Sequence, residues 1–371
     1  MSFIVYEHIR YKVCPHTPIL QDLHNQLIFL EYDMKGKERR DIFMKIVHAP
    51  TEIAGQMGII CKEIRKQGHH AAGFNGFHTY LNYKGDILNT DAFEVMKEFE
   101  FLVENVDIFH FHNANTFFQD FADLPLLKGK GKNMVMHHWG SDVRTAEMVR
   151  NMNPYPLPET YYTDEEIHRQ LTIISANIDT AIVQDYEAYH YVKDYYKHVY
   201  VIPLACNVED FKVSYPSVKN NNPLIIHAPT NREFKGSDYV EAAVNKLRDK
   251  GSPFTYQILE KMSHEKALSE YMKADIIIDQ LLCGTYGMLS VEAMAMGKPV
   301  VAFIRDDVRE KFPDDLPIVQ ATPENLDEVL DELIRNPIRR HELGMAGRKY
   351  VETYHSAERV TNDLISIYEQ L

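Results

Sequence analysis

The chain is poor in several features that would have narrowed its function at once. Its 371 residues include only four cysteines, Cys14, Cys61, Cys206 and Cys283, far apart and with no CxxC pair. That pattern excludes a thioredoxin-like redox pair and the usual zinc ribbons, and it fits a reducing cytoplasm where no disulfide is needed. No apolar run approaches membrane-spanning length, and the start, Met-Ser-Phe-Ile-Val-Tyr-Glu-His, does not read as a secretory signal. Contact with a membrane is therefore at most peripheral, at the inner face. A basic excess is also lacking: the net charge is −14, with the acidic surplus running through both halves. This argues against a general nucleic-acid binder, whose affinity comes from Lys and Arg meeting phosphates. No Asp-x-Asp pair of the kind used by metal-dependent transferases occurs, and there is no low-complexity segment.

What is present is a globular composition, 45% hydrophobic and 25% charged, over a length that suits two domains. Ile46-Val-His-Ala-Pro-Thr51 returns as Ile225-Ile-His-Ala-Pro-Thr230, with one Val/Ile exchange. Each copy ends a short β-branched run and leads toward a glycine-bearing, helix-like stretch, the opening unit of an α/β nucleotide-binding domain. Strand and helix patterns alternate after each copy. Strands are predicted at 44–48, 71–74, 107–112, 134–138, 180–184 and 199–203, then at 224–227, 255–259, 275–279 and 299–304. Helices are predicted at 53–66, 92–104, 185–197, 237–249, 264–273 and 289–296, with 324–371 almost wholly helical. Such alternation calls for two mostly parallel, doubly wound sheets covered on both faces. The polar stretch 213–223 reads as a linker, giving a first domain over 1–212, with 1–43 unplaced, and a second over 224–352. Residues 353–371 are expected to return to the first domain.

Three segments carry candidate chemistry. In Thr230-Asn-Arg-Glu-Phe-Lys-Gly-Ser237 a strand hands over to a helix, and Arg232, Lys235 and Gly236 would make a diphosphate cradle. A solvated turn with Arg232 and Lys235 paired to Glu233 and Asp238 is the plain alternative. In Gly284-Thr-Tyr-Gly-Met-Leu-Ser-Val-Glu292, Gly287 opens a helix N-terminus to an anion, and Glu292 sits among apolar neighbours where a carboxylate needs a partner such as ribose hydroxyls. In Met134-Val-Met-His-His-Trp-Gly-Ser-Asp-Val-Arg144 a buried strand delivers His137, His138, Trp139, Asp142 and Arg144 to a Gly turn. His110 and His112 flank Phe111, but no third ligand is evident in the sequence, so they read as core or cleft lining rather than metal ligands. Gly55 would let the first-domain loop come close to acceptor or donor, although a plain helix start at Thr51 accounts for it equally well.

The run Lys235-Gly236, then Tyr286-Gly287 to Glu292-Ala-Met-Ala-Met-Gly-Lys-Pro-Val300, resembles the signature of family-4 retaining glycosyltransferases. The resemblance is specific over most of 223–371. It is looser in the first domain, resting on Pro50–Gln56 and Trp139–Arg144. It implies a GT-B fold, two Rossmann-like domains facing a cleft with C-terminal helices crossing back, and no metal or cofactor besides a UDP- or GDP-sugar donor. By resemblance, Lys235 and an arginine bind the diphosphate, Glu292 binds the ribose, and the backbone of Tyr286, Gly287, Met288 and Leu289 covers phosphates and sugar. His138 or His137 would stand near the transferred sugar with Asp142, while Gly55, Trp139 and Arg144 would line the acceptor side. Two positions depart from the pattern: Gly284 stands where the family has a Glu contacting the sugar, and Thr230 where it has its arginine. Arg232 is thus a candidate by chemistry alone. The expectation is a cytoplasmic transferase acting on a glycan, lipid-linked or small-molecule acceptor and compatible with a homodimer. A scaffold subunit, favoured by Gly284, and a nucleotide-sugar 2-epimerase are the alternatives.

Overall fold

The computed structural model describes residues 43–77, 85 and 87–371, so the expectations for 1–42 lie outside the described residues. Two all-parallel sheets organise the chain. The first contains β1 (Lys45–Ala49), β2 (His70–Asn75), β3 (Leu88–Asn89), β4 (Ile108–His112), β5 (Asn133–His138), β6 (Thr180–Val183) and β7 (His198–Val201), in the order β3-β2-β1-β4-β5-β6-β7. The second contains β8 (Leu224–His227), β9 (Thr255–Ile258), β10 (Ile276–Ile278), β11 (Val300–Ala302) and β12 (Val319–Gln320), in the order β12-β11-β10-β8-β9. In each sheet the repeated hexapeptide supplies the strand beside which the winding reverses, β1 next to β4 and β8 next to β10. Ligands bind open α/β sheets at this switch point, outside the carboxyl ends of the strands.

The sequence pattern locates most of these elements, with edges moved by one to three residues. The helix expected from Ile53 begins only at Gln56, because Ala54 and Gly55 both take positive φ, 52° and 79°, and break the turn. The helix expected over 185–197 stops at Val192. Besides the four-residue helices Arg232–Lys235 and Asp306–Arg309, three longer helices were not foreseen, Asp123–Gly129, Ala146–Met152 and Asp164–Ser175. The last has a full capping box, Thr163 with Glu166, a signal readable from sequence.

Strand parity sorts the first sheet into two cores. Phe109, Phe111, Met134 and Met136 pack on one face, while Ile46, Ile108, Val135 and Ile182 pack on the other beneath Ile60, Ile64, Leu364 and Tyr368. The C-terminal helix Ala357–Tyr368 thus lies on the first domain, against helix Gln56–Lys66. Tyr354, expected to cross with it, stays instead beside Tyr350 at the second domain's core around Tyr286. The crossing itself is pinned where Cys206 and Ser356 form an isolated parallel bridge, with Cys206 N–H donating to His355 and Ala357 N–H to Cys206. The stretch 213–223 is a linker in composition only. Ser214 N–H donates to Met296 O, and Arg340 and His341 donate to the carbonyls of Asn220 and Pro216, so it is strapped to the second domain. Among the described residues no helix is long and apolar enough to cross a membrane.

Helix Pro337–Tyr354 packs on helix Met288–Ala295, which carries much of the expected donor site. The two approach so closely at Gly344 that a Cβ there would lie 2.2 Å from the Gly297 carbonyl oxygen. Gly344→Ala is therefore expected to destabilise the protein by about 3 kcal/mol through overpacking. Gly129→Ala, with nothing within 4 Å of the added carbon, should be close to neutral in the same denaturant titration.

Candidate active site

The second-domain site forms where two loops meet beyond β8 and β10. The short helix Arg232–Lys235 ends on Gly236, whose φ of 72° turns the chain into the next helix and closes the loop over Leu281 and Leu282. This brings Lys235 Nζ to 2.6 Å from Asp279 Oδ1 and 2.7 Å from Gln280 Oε1. Asp279, fully buried, also accepts from Gly287 N–H at 3.0 Å and Ser290 Oγ at 2.7 Å through Oδ2. It therefore caps helix Met288–Ala295 while it fixes the lysine. Burial pushes its carboxyl up, but the Lys235 ammonium and these hydrogen bonds outweigh burial and hold it below the usual range. Asp279 and Gln280 were not named from the sequence; a polar pair ending an all-apolar strand was the signal. A Cβ on Gly287 would be 3.7 Å from Lys235 Nζ, so the ammonium stands at the helix N-terminus. Met288 and Leu289, in the first turn, have N–H groups with no intrahelical acceptor.

Glu292 is buried on the same helix and accepts from His264 Nε2 at 2.6 Å; burial raises its carboxyl above the usual value. His264 was also missed by the sequence reading, because nothing in the primary structure brings it to Glu292. Arg232 does not join Lys235. It lies over the helix surface, 2.7 Å from Glu241, 3.5 Å from Glu260 and 3.6 Å from Asp238. Arg232 thus takes the solvated alternative, with its Asp238 partner joined by Glu241 and Glu260, while Lys235 does not. Tyr286 is buried, and its hydroxyl meets His355 Nε2 at 3.0 Å. Gly284 has φ 86°, and a Cβ there would come 2.9 Å from Arg305 Cγ, so no larger residue fits while Arg305 stays.

On the first domain the neighbouring histidines part company. Alternation sends His138 into the face containing Met134 and Met136, where both ring nitrogens are engaged, Nδ1 with Asp142 at 2.7 Å and Nε2 with Tyr196 OH at 2.8 Å. Asp142 in turn accepts from the Trp139 and Gly140 N–H groups, at 3.0 and 2.9 Å, and so holds the Gly turn. In this arrangement His138 and Asp142 brace the loop rather than face the cleft. His137 points to the other face, stacked on Trp139 with ring centroids 3.9 Å apart. Arg144 is not a free cation either, since it makes a buried bidentate pair with Glu187, 2.6–3.0 Å. His110 and His112 do have a third imidazole beside them, His48, with ring nitrogens of the three within 4.8 Å of one another.

Several contacts join the domains around this site. Trp139 and Ile53 pack into the second-domain core, Thr285 Oγ1 donates to Asp185 at 2.9 Å, and Asn153 Nδ2 donates to Leu282 O at 2.7 Å. Gln56, after Gly55, donates to Ala205 O and reaches Met288 Sδ at 3.5 Å. Beside it Glu52 fills the N-terminus of helix Gln56–Lys66, accepting from the Met57 and Gly58 N–H groups.

Residues 255–366 match the family model described as Glycosyl transferase-like. No curated protein matches the chain. Among solved structures, sucrose-phosphate synthase from Thermosynechococcus elongatus is similar at 14% identity and a TM-score of 0.57, covering 88% of this chain and 98% of its own. HepE of Anabaena, in complex with UDP and glucose, is similar at 12% identity and a TM-score of 0.61, covering 88% of this chain and all of its own.

Burial raises the Glu52 carboxyl from 4.5 to about 7 despite its backbone hydrogen bonds. The folded protein therefore holds this proton more tightly than the unfolded chain, and stability falls as pH rises from about 4.5 to 7. Glu52→Gln should flatten that fall by at most about 3 kcal/mol in unfolding curves at pH 5 and 8, an equal slope in both proteins contradicting it. The match over residues 255–366 and the GT-B fold together support a glycosyltransferase enzyme.

Proposed function

We propose that the protein is a retaining, metal-independent glycosyltransferase that takes a nucleotide-diphosphate sugar on its second domain. The observation that carries this reading is the placement of the Lys235 ammonium at the N-terminus of helix Met288–Ala295, with Glu292 further along the same helix. Two of the three ammonium protons go to Asp279 and Gln280, leaving the third for a phosphoryl oxygen. The first-turn N–H groups of Met288 and Leu289 and the helix dipole add to it. As the glycosidic bond to the diphosphate breaks, these groups stabilise the charge gathering on the leaving group. Glu292 gives one oxygen to His264 and the other to a ribose hydroxyl. In the first domain Glu52 occupies the corresponding helix N-terminus, which keeps the phosphates on the second-domain side.

The acceptor, a glycan, lipid-linked or small-molecule hydroxyl, approaches from the first domain near Gly55 and Trp139. It attacks the face from which the diphosphate departs, so no covalent enzyme intermediate is required. A cytoplasmic setting follows from the nucleotide-sugar donor and the spacing of the cysteines. A second reading, nucleotide binding without transfer, draws on Gly284, where Arg305 occupies the space a glutamate would need.

Calorimetry with UDP, GDP and ADP tests the donor site, with UDP first because UDP is the nucleotide named in the HepE complex. Micromolar binding of one nucleotide is expected, weakened roughly 30-fold, about 2 kcal/mol, in Lys235→Ala and by a similar factor in Glu292→Ala. If none of the three binds, the transferase reading fails. Binding without release of sugar from any matching donor supports the second reading.

A further inference from the structure

His48, His110, His112 and His137 all lie on one face of the first sheet, at its switch point. Their strands are in register, His48 opposite His110 across β1 and β4, and His112 opposite His137 across β4 and β5. Ladder spacing stacks the rings, with centroids 4.3 Å apart for His48 and His110 and 4.6 Å for His110 and His112. Burial lowers the His48 ring to about 3 and the other three well below their ordinary value, so all four are neutral. A neutral imidazole carries one N–H and one lone pair, and the partners decide which nitrogen holds which.

The assignment runs outward from Trp139, whose indole nitrogen can only donate. It donates to His112 Nδ1 at 3.3 Å, so the His112 proton is on Nε2 and points to His48 Nδ1 at 3.0 Å. The His48 proton is then on Nε2, facing the Tyr368 hydroxyl at 3.4 Å. That hydroxyl, having accepted from His48, donates to His110 Nδ1 at 2.5 Å. His110 in turn donates from Nε2 to His137 Nδ1 at 3.2 Å. His137 is left with its proton on Nε2, a buried N–H with no partner. Reversing the last two links would strand the Tyr368 hydroxyl proton as well as a His137 lone pair. The reversed arrangement thus leaves two buried groups unmet instead of one, and an unmet buried polar group forfeits its hydration with no return.

We propose that Trp139, His112, His48, Tyr368, His110 and His137 form a one-way hydrogen-bond relay that fixes His137 as an Nε2–H donor to an oxygen of the bound donor substrate. His137 stands at the carboxyl end of β5, stacked under Trp139, which itself packs into the second-domain core. Tyr368, on the C-terminal helix, is a positioning residue: it touches no substrate and acts through His110. The relay also settles the nature of the His48, His110 and His112 cluster. Each ring lone pair already accepts a hydrogen bond, so none is left for a metal ion, although the nitrogens are within 4.8 Å of one another. The substrate contact rests on the donor reading above; the tautomers do not.

Nitrogen-15 NMR of histidine-labelled protein tests both parts. All four rings should appear as the Nε2–H tautomer, and Tyr368→Phe should convert His110 and His137 to mixtures containing Nδ1–H while His48 and His112 keep theirs. Should Tyr368→Phe not fold, Trp139→Phe removes the anchoring N–H and should release His112 first. A wild-type His137 in the Nδ1–H form, or stoichiometric uptake of added Zn2+ by the metal-free protein, overturns the relay. Saturating UDP-glucose or UDP, with binding followed in parallel by calorimetry, should shift the His137 N–H signal. A shift with UDP alone assigns the contact to a phosphoryl oxygen, and one needing UDP-glucose assigns it to a sugar oxygen. Binding of both without a shift overturns the contact. Absence of binding by UDP, GDP or ADP overturns the donor reading and the contact with it, while the tautomers still decide the relay.

Discussion

The ion pair between Lys235 and Asp279 holds the second-domain site together. A carboxylate with no exposure to water must be met by donors on every side, and Asp279 gathers three from three places: the end of helix Arg232–Lys235, the Gly287 backbone and Ser290. Meeting that demand folds the loop 280–287 onto the strand ends and sets the direction of the helix bearing Glu292. Under the proposed donor reading, a diphosphate would meet a lysine already paired with Asp279. Its binding would then depend on the remaining proton of the ammonium and on helix N–H groups, an arrangement that suits a ligand spread along the helix end better than a compact free anion.

The same logic operates at the domain junction. Polar residues at the carboxyl edges of two parallel sheets cannot all face water once the domains meet, so they pair across the seam. Asp185 takes Thr285, Asn153 takes the Leu282 carbonyl, and Arg144 with Glu187 forms a buried bidentate pair whose guanidinium lies 5.6 Å over the Phe234 ring of the second domain. These contacts surround the loop 280–287 from the first-domain side. Movement of one domain against the other would change this loop's surroundings directly.

The repeated hexapeptide now has a physical meaning. Its histidine is the last inward residue of the strand at each switch point, and each copy is buried and held neutral, His48 within the relay and His227 between Ile278 O at 3.0 Å and Ser237 Oγ at 2.8 Å. In both places an imidazole supplies the donor and acceptor that an apolar side chain would lack, tying the strand end to its neighbours. The two copies diverge just beyond it. The first leads into positive φ at Ala54 and Gly55 and a helix capped by Glu52, the second into a short helix that presents Lys235.

The alternation of β-branched runs with helical periods determined the α/β class, most of the strands and the presence of two similar units, because burial of a parallel strand on both faces leaves a local mark in the sequence. Gly287 at a helix start and Glu292 as an isolated acid among apolar neighbours were local signals too, and the structure places both on one helix with Lys235 at its N-terminus. What the tertiary structure decided was pairing. Arg232 and Lys235 are three residues apart, yet one faces Glu241 on the surface and the other Asp279 in the interior. Adjacent His137 and His138 lie on opposite faces of one strand and in unrelated networks. His264, Asp279 and Tyr368 found their partners 28, 44 and 258 residues away. The composition of a short segment can show that a buried polar group needs a partner, but only the packing of distant strands and helices determines which residue meets it.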